Sequence, residues 1–139
     1  MQFRGLSVAV AGFAIMATLL TAGCATSTSS RPATEVVLER AQSRWAALLK
    51  RDWPGAYGYL TSGYRATVPL DRYGSQFSGP LQWEAVKVHG AECEESRCVV
   101  TVEISFKLLL TGHRDRVSST FVEEVWLLEE GQWYKFEKL

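Results

Sequence analysis

Apolar residues recur along this chain with two different periods, and the change from one to the other divides the sequence near Leu81. Between Thr34 and Lys50 the period is helical. Val37, Leu38, Ala41, Trp45, Leu48 and Leu49 fall on one stripe, while Glu39, Arg40, Arg44 and Lys50 lie off it. Asp52 then reads as the N-cap of a second, short helix, with Trp53 and Pro54 in its first turn and Ala56, Tyr57 and Leu60 along it. That helix is predicted to end near Ser62-Gly63. After Pro69, Leu70 to Phe77 forms a third short helix capped by Asp71. Beyond Leu81 the residues alternate instead. Trp83 to His89 is the first predicted strand. Cys98, Val100, Val102, Ile104, Phe106, Leu108 and Leu110 share one face of a long second strand, and Thr101, Glu103, Ser105 and Lys107 lie on its other face. The turn Thr111-Gly112-His113-Arg114-Asp115 leads into a third strand, Val117 to Glu129, and Glu130-Gly131 turns tightly into Gln132 to Glu137. Helices first and four antiparallel strands after them predict an α+β domain rather than an α/β one.

The third strand carries two further expectations. Phe121, Val125 and Leu127 lie on one of its faces and Val122, Trp126 and Leu128 on the other, so both faces need cover, from this chain or from a partner. Glu123 and Glu124 are adjacent, so one of them points inward. A buried carboxylate is costly unless paired, and Arg65 or Arg72 is the expected partner.

Ahead of the helices, a short basic start with Arg4 precedes a run of apolar and small residues from Leu6, which has the plan of a secretory signal. The run is shorter than the roughly 20 apolar residues that span a bilayer. Its end, Leu20-Thr21-Ala22-Gly23-Cys24, resembles the lipobox of bacterial lipoproteins, in which signal peptidase cuts before a cysteine that carries diacylglycerol. The resemblance implies a signal peptide over residues 1–23, a lipidated Cys24 at the head of a flexible tether over 24–33, and a folded domain over 34–139. Stable anchoring takes more than one acyl chain, which the modified cysteine of a lipoprotein supplies. With Ala25 after the cysteine, resemblance to enteric sorting rules implies the periplasmic side of the outer membrane rather than the inner membrane.

Charge and cysteine content narrow the partners. Fifteen basic and fifteen acidic residues cancel without a polybasic block, which excludes nucleic-acid binding by counterion release. With Cys24 lipidated, Cys93 and Cys98 are left to pair. The residues between them, Glu94-Glu95-Ser96-Arg97, are polar and turn-like, so the bridge is expected to close the tip of a hairpin. No histidines or cysteines accompany them at zinc-site spacing, so no metal is expected. No cofactor is expected either.

Two stretches resemble the nuclear-transport-factor-like superfamily, the cone-shaped cystatin-like α+β fold. Arg44-Trp45-Ala46-Ala47-Leu48-Leu49-Lys50-Arg51-Asp52-Trp53-Pro54-Gly55-Ala56-Tyr57-Gly58-Tyr59-Leu60 is similar to its paired opening helices, followed by a loop such as Ser62-Gly63-Tyr64-Arg65. Glu124-Val125-Trp126-Leu127-Leu128-Glu129-Glu130-Gly131-Gln132-Trp133-Tyr134-Lys135 is similar to its closing hairpin. The resemblance implies N-terminal helices packed on a curved four-stranded antiparallel sheet, often enclosing an apolar pocket. Trp45, Tyr57, Tyr64, Phe77, Trp83, Phe106 and Trp126 are then candidates for the pocket wall, with Asp71 near its mouth. Superfamily members also frequently dimerise through the sheet, which makes a homodimer or an envelope protein partner an expectation for the outer face.

Catalytic motifs are harder to find. The chain has no glycine-rich phosphate loop, no H-E-x-x-H and no G-x-S-x-G. Enzymes of the resembled superfamily use a pocket carboxylate or histidine as general base, which must reach its proton at hydrogen-bond distance. Asp52 is accounted for as a cap, and Asp115 and His113 sit in a charged turn. His89 abuts a hairpin end. The expectation is therefore a non-catalytic domain of an envelope lipoprotein. It would hold a protein partner through the sheet face or a small apolar ligand in the cone, with the partner role favoured. The alternative is a cofactor-independent isomerase, dehydratase or cyclase with Asp71 as base.

Overall fold

The computed structural model describes residues 31–109 and 116–139. The signal-like segment, Cys24, most of the tether, Leu110 and the turn holding His113 and Asp115 lie outside the described residues. The first helix, α1, spans Ala33–Leu49 and follows Pro32, with Glu35 in its first turn where a carboxylate suits the helix dipole. It buries Val37, Ala41, Arg44, Trp45 and Leu48, whereas Leu49 remains exposed. Arg44 therefore lies on the buried stripe rather than off it. At the end of α1 the Arg51 N–H donates to the Leu48 carbonyl at 3.0 Å and the Asp52 N–H to that of Ala47 at 2.9 Å. Those two bonds make the Schellman stop, in which the residue after the cap adopts a left-handed conformation and is usually glycine. Here that residue is Arg51, at φ 58°. A side chain in that conformation costs roughly 1–2 kcal/mol.

Asp52 caps α2 (Trp53–Tyr57), accepting from the Gly55 N–H at 3.0 Å as its position predicts. The helix ends at Tyr57 rather than near Ser62-Gly63, because the chain straightens to pair with the end of the sheet. Leu60 forms a parallel bridge with Lys135, the Thr61 N–H donates to the Lys135 carbonyl, and the Lys135 N–H donates to that of Tyr59. The segment expected as a loop is a helix of its own, α3 (Ser62–Thr67). The last helix, α4, covers Leu70–Ser75. Its N-cap is Pro69, and Asp71 stands in the first turn without a side-chain capping bond, which corrects the expected cap.

Four strands follow in simple meander order, all antiparallel: β1 (Leu81–Glu94), β2 (Arg97–Leu108), β3 (Val117–Glu129) and β4 (Gln132–Lys135). β1 runs beyond His89 to the hairpin tip, where Cys93 and Cys98 are register partners joined by the expected disulfide. Register shifts between Trp83 and Ala85 and between Val88 and Gly90 mark bulges, which bend a strand and strengthen its twist. The β3–β4 turn needs left-handed backbone at both central residues, met by Glu130 at φ 51° and Gly131 at φ 80°. Arg40 of α1 fastens β4 to the helix layer. Its Nε donates to the Trp133 carbonyl, and its guanidinium lies 4.9 Å from the Tyr59 ring and 5.3 Å from that of Tyr134.

The result is a set of helices packed on one face of a curved four-stranded antiparallel sheet, consistent with a cone-like fold. Val100, Val102, Ile104 and Trp126 of the inner face meet Val37, Ala41, Trp45 and Leu48 of α1 in the core. On the outer face Phe121 is 62% exposed.

Candidate functional site

Aromatic rings link the helix layer to the start of the sheet. Trp53 of α2 stacks on Phe77 at 4.9 Å between centroids, and Phe77 meets the Trp83 ring edge-on at 5.2 Å. Trp83 in turn meets Trp45 of α1 at 5.3 Å. Gly74 lets the Trp53 ring approach closely, since a Cβ there would lie 3.1 Å from it. Where this chain of rings comes to the surface, a cavity of about 350 Å³ opens between the end of α1, α2, the segment after α4 and the start of β1. Leu48, Leu49, Arg51, Trp53, Gln76, Phe77, Gly79, Leu81, Gln82 and Trp83 line it. Its size is at the low end of the roughly 300–1,000 Å³ typical of ligand pockets. A second depression of about 330 Å³ lies between α1 and β1 and is lined in part by Trp45.

The interior behind the cavity is filled and partly polar. Glu124 is the inward carboxylate of β3, and its partner is Arg44 rather than Arg65 or Arg72. Arg44 Nη1 lies 2.8 Å from Glu124 Oε1, with side chains 4% and 6% exposed. Trp126 Nε1 donates to the other carboxylate oxygen at 3.3 Å. The clue lay in the spacing of Ala41, Arg44, Trp45 and Leu48, at helical intervals of three and four on one face. Arg65 instead packs over the Tyr134 ring at 5.6 Å, and Arg72 is exposed. Tyr73 of α4 is buried beside this pair, and its hydroxyl finds no hydrogen-bond partner among the described residues. Burial pushes the phenol above its ordinary value of 10.0, and the neighbouring Arg44 guanidinium, through its charge and a contact too loose to count as a hydrogen bond, pulls it partly back.

A raised phenol contributes stability that is complete below about pH 10 and is lost as pH climbs from there toward the folded-state value. Tyr73→Phe is accordingly expected to flatten the alkaline arm of stability against pH. Because the hydroxyl has no partner at hydrogen-bond distance beyond its loose contact with Arg44, the variant should change stability at pH 7 by less than about 1 kcal/mol. Urea unfolding at pH 7, 10 and 11 measures both effects, and an unchanged alkaline slope would remove Tyr73 as its source.

The sequence-derived candidates therefore separate. Phe77 and Trp83 line the cavity at the mouth, and Trp45 supports Trp83 from behind. Tyr57, Tyr64 and Trp126 are built into the packing instead. The Tyr57 hydroxyl lies 2.9 Å and 2.8 Å from the carbonyls of Arg65 and Val68, and Tyr64 accepts from Gln76 Nε2 at 3.0 Å. Trp126 is completely buried. Phe106 is half-buried opposite Trp83 in the β1–β2 register. Asp71 is exposed on α4 and is not among the cavity's lining residues. Sequence reasoning missed Arg51, Trp53, Gln76 and Gln82, of which Arg51 and Trp53 reach the cavity at the break that ends α1.

No protein-family model and no curated protein matches this sequence. Solved structures do share its fold. A SEC-C motif containing protein from Rhodopseudomonas palustris is similar over 70% of this chain and 73% of that one, with a TM-score of 0.57 and 19% identity. Another, from Psychrobacter arcticus, has a TM-score of 0.60 at 8% identity over 78% of this chain, which spans only 63% of that protein. An LEH-like epoxide hydrolase from M. tuberculosis is similar over 78% of this chain and 83% of its own, with a TM-score of 0.48 and 16% identity. At these identities the likeness is one of fold. The expectation of a non-catalytic domain is nevertheless corrected: one fold hosts both enzymes and binding proteins, so lack of a known motif does not exclude catalysis.

Proposed function

We propose that this chain is a lipid-anchored envelope protein whose domain, of the nuclear-transport-factor-like kind, holds a small apolar ligand at the mouth of its cone. The observation that carries the binding role is the cavity walled by Trp53, Phe77 and Trp83. Large flat rings provide apolar area, and their stacking leaves them rigid before a ligand arrives. Binding is the step that a carrier and a pocket enzyme share, and the reading commits to that step. The alternative with Asp71 as general base draws no support from the position of that carboxylate on the exposed side of α4. The anchor rests on the run from Leu6 to Cys24.

Native mass spectrometry on protein isolated without refolding should show excess mass that disappears on denaturation. A clean mass, together with no uptake of small aromatic compounds, would end the ligand reading. For the anchor, Cys24→Ala should move the protein out of the membrane fraction, and continued membrane association would contradict lipidation. A second reading, a homodimer or a protein partner on the outer sheet face, has its own support. Phe121 and Val117 stand exposed on the side the described helices do not cover, and the His89 ring, hydrogen-bonded to Glu103 at 2.9 Å, lies 5.4 Å from Phe121. Phe121→Asp should dissociate any dimer found by light scattering.

A further inference from the structure

Arg51 combines two observations that nothing in the packing requires to coincide. It occupies the left-handed position at the end of α1, at φ 58°, where glycine is the residue that fits without strain. It is also the one charged residue among the described residues lining the aromatic cavity. Among the described residues Arg51 makes no salt bridge, and its neighbour Asp52 is committed to capping α2. Arg51 is exposed at the lip of the cavity, so its unpaired guanidinium is available to a ligand there.

We infer that the cavity takes a flat organic carboxylate, with its ring system against Trp53, Phe77 and Trp83 and its carboxylate on the Arg51 guanidinium. The inference rests on the ligand-binding reading of the same cavity and adds the chemistry of the ligand. Among the described residues no carboxylate lines the cavity to compete for the guanidinium or to repel an anion. Gln82 stands in the same lining, and its amide is a neutral donor that an anion tolerates, whereas the Gln76 amide already donates to Tyr64. A planar guanidinium matches a carboxylate with two parallel hydrogen bonds, which a neutral amide ligand cannot accept equally well. A cavity of about 350 Å³ accommodates one or two fused rings and a headgroup rather than a long acyl chain.

The test is isothermal titration of the purified protein with 2-naphthoate and with its neutral counterpart 2-naphthamide. The naphthoate should bind about tenfold more tightly, a preference that shrinks as salt is raised. Arg51→Gly should abolish the preference, because it removes the guanidinium that distinguishes the carboxylate from the amide. The same variant should melt about 4 °C higher, because glycine adopts the left-handed conformation without a side-chain clash. Arg51→Lys should retain part of the preference, having charge without the planar fork. Equal affinities for the two probes in the wild type, or a preference that survives Arg51→Gly, would overturn the carboxylate inference and leave the cavity reading intact. Failure of both probes to bind would overturn the two together. A lower melting temperature for Arg51→Gly would mean that Arg51 holds the turn, and would remove the strain argument.

Discussion

Arg44→Ala is expected to destabilise the domain by about 3–5 kcal/mol, because it leaves the Glu124 carboxyl without its partner in the core. Both partners are nearly inaccessible, at 4% and 6% side-chain exposure, and only Trp126 Nε1 would remain to the carboxylate. Removing both charges should be far milder. Arg44→Met with Glu124→Leu keeps the volume and avoids the desolvation that offsets most of the pair's attraction, so the double variant should lie near the wild type or above it. Chemical unfolding of the wild type, the two single variants and the double variant gives the coupling directly. A single-variant cost below about 1 kcal/mol would show that water or another donor reaches Glu124. A double variant as stable as the wild type would mean that the pair matters more for which way α1 faces the sheet than for net stability. Turning α1 so that Arg44 left the stripe would strand Glu124.

Trp126→Ala is the second large effect, at about 3–5 kcal/mol, since a wholly buried indole leaves a cavity that its neighbours only partly close. What distinguishes it is the accompanying binding result. Trp126 lies behind the cavity among core residues, so a folded fraction of Trp126→Ala should keep its affinity for a small aromatic ligand. Phe77→Ala removes a half-buried wall, with Trp53 stacked on one side and Trp83 against the other. It should cost less stability and lose most of that affinity. Denaturation midpoints and ligand titration on the same two variants test the pairing. Equal losses of affinity would mean that the core and the cavity are one space, contrary to the packing described.

That contrast shows where local reading of the sequence stops. Trp45, Phe77, Trp83 and Trp126 have similar side chains and were equivalent candidates for a pocket wall. Periodicity assigns a residue to a face, and in this cone the face that points at the core also points at the cavity. Which residues reach the opening depends on how far each strand and helix runs. Trp53 and Arg51 were out of reach for a related reason. They stand at a break between helices, and the direction in which the chain leaves α1 is decided by the left-handed turn at Arg51. Arg44 was a different failure, of weighting rather than of information. Its spacing from Ala41, Trp45 and Leu48 put it on the buried stripe, but its charge argued for solvent, and the inward Glu124 that makes burial tolerable comes from a strand far away in the sequence.

The sequence by itself determined the two periods, hence the opening helix, the meander of four strands and their inner face. It also determined the Asp52 cap, the Glu130-Gly131 turn and the Cys93–Cys98 pairing. All of these rest on interactions between residues within a turn, a strand or a hairpin, whose free energies are set by near neighbours. Only the tertiary structure decided that α2 stops early so that Leu60 can pair with Lys135, that Ser62–Thr67 is helical, that Arg44 meets Glu124, and that the aromatic rings open to solvent beside Arg51. Each of these joins segments distant in the chain. The gain from burial and pairing across that distance outweighs the local preference, and no short stretch of sequence contains it.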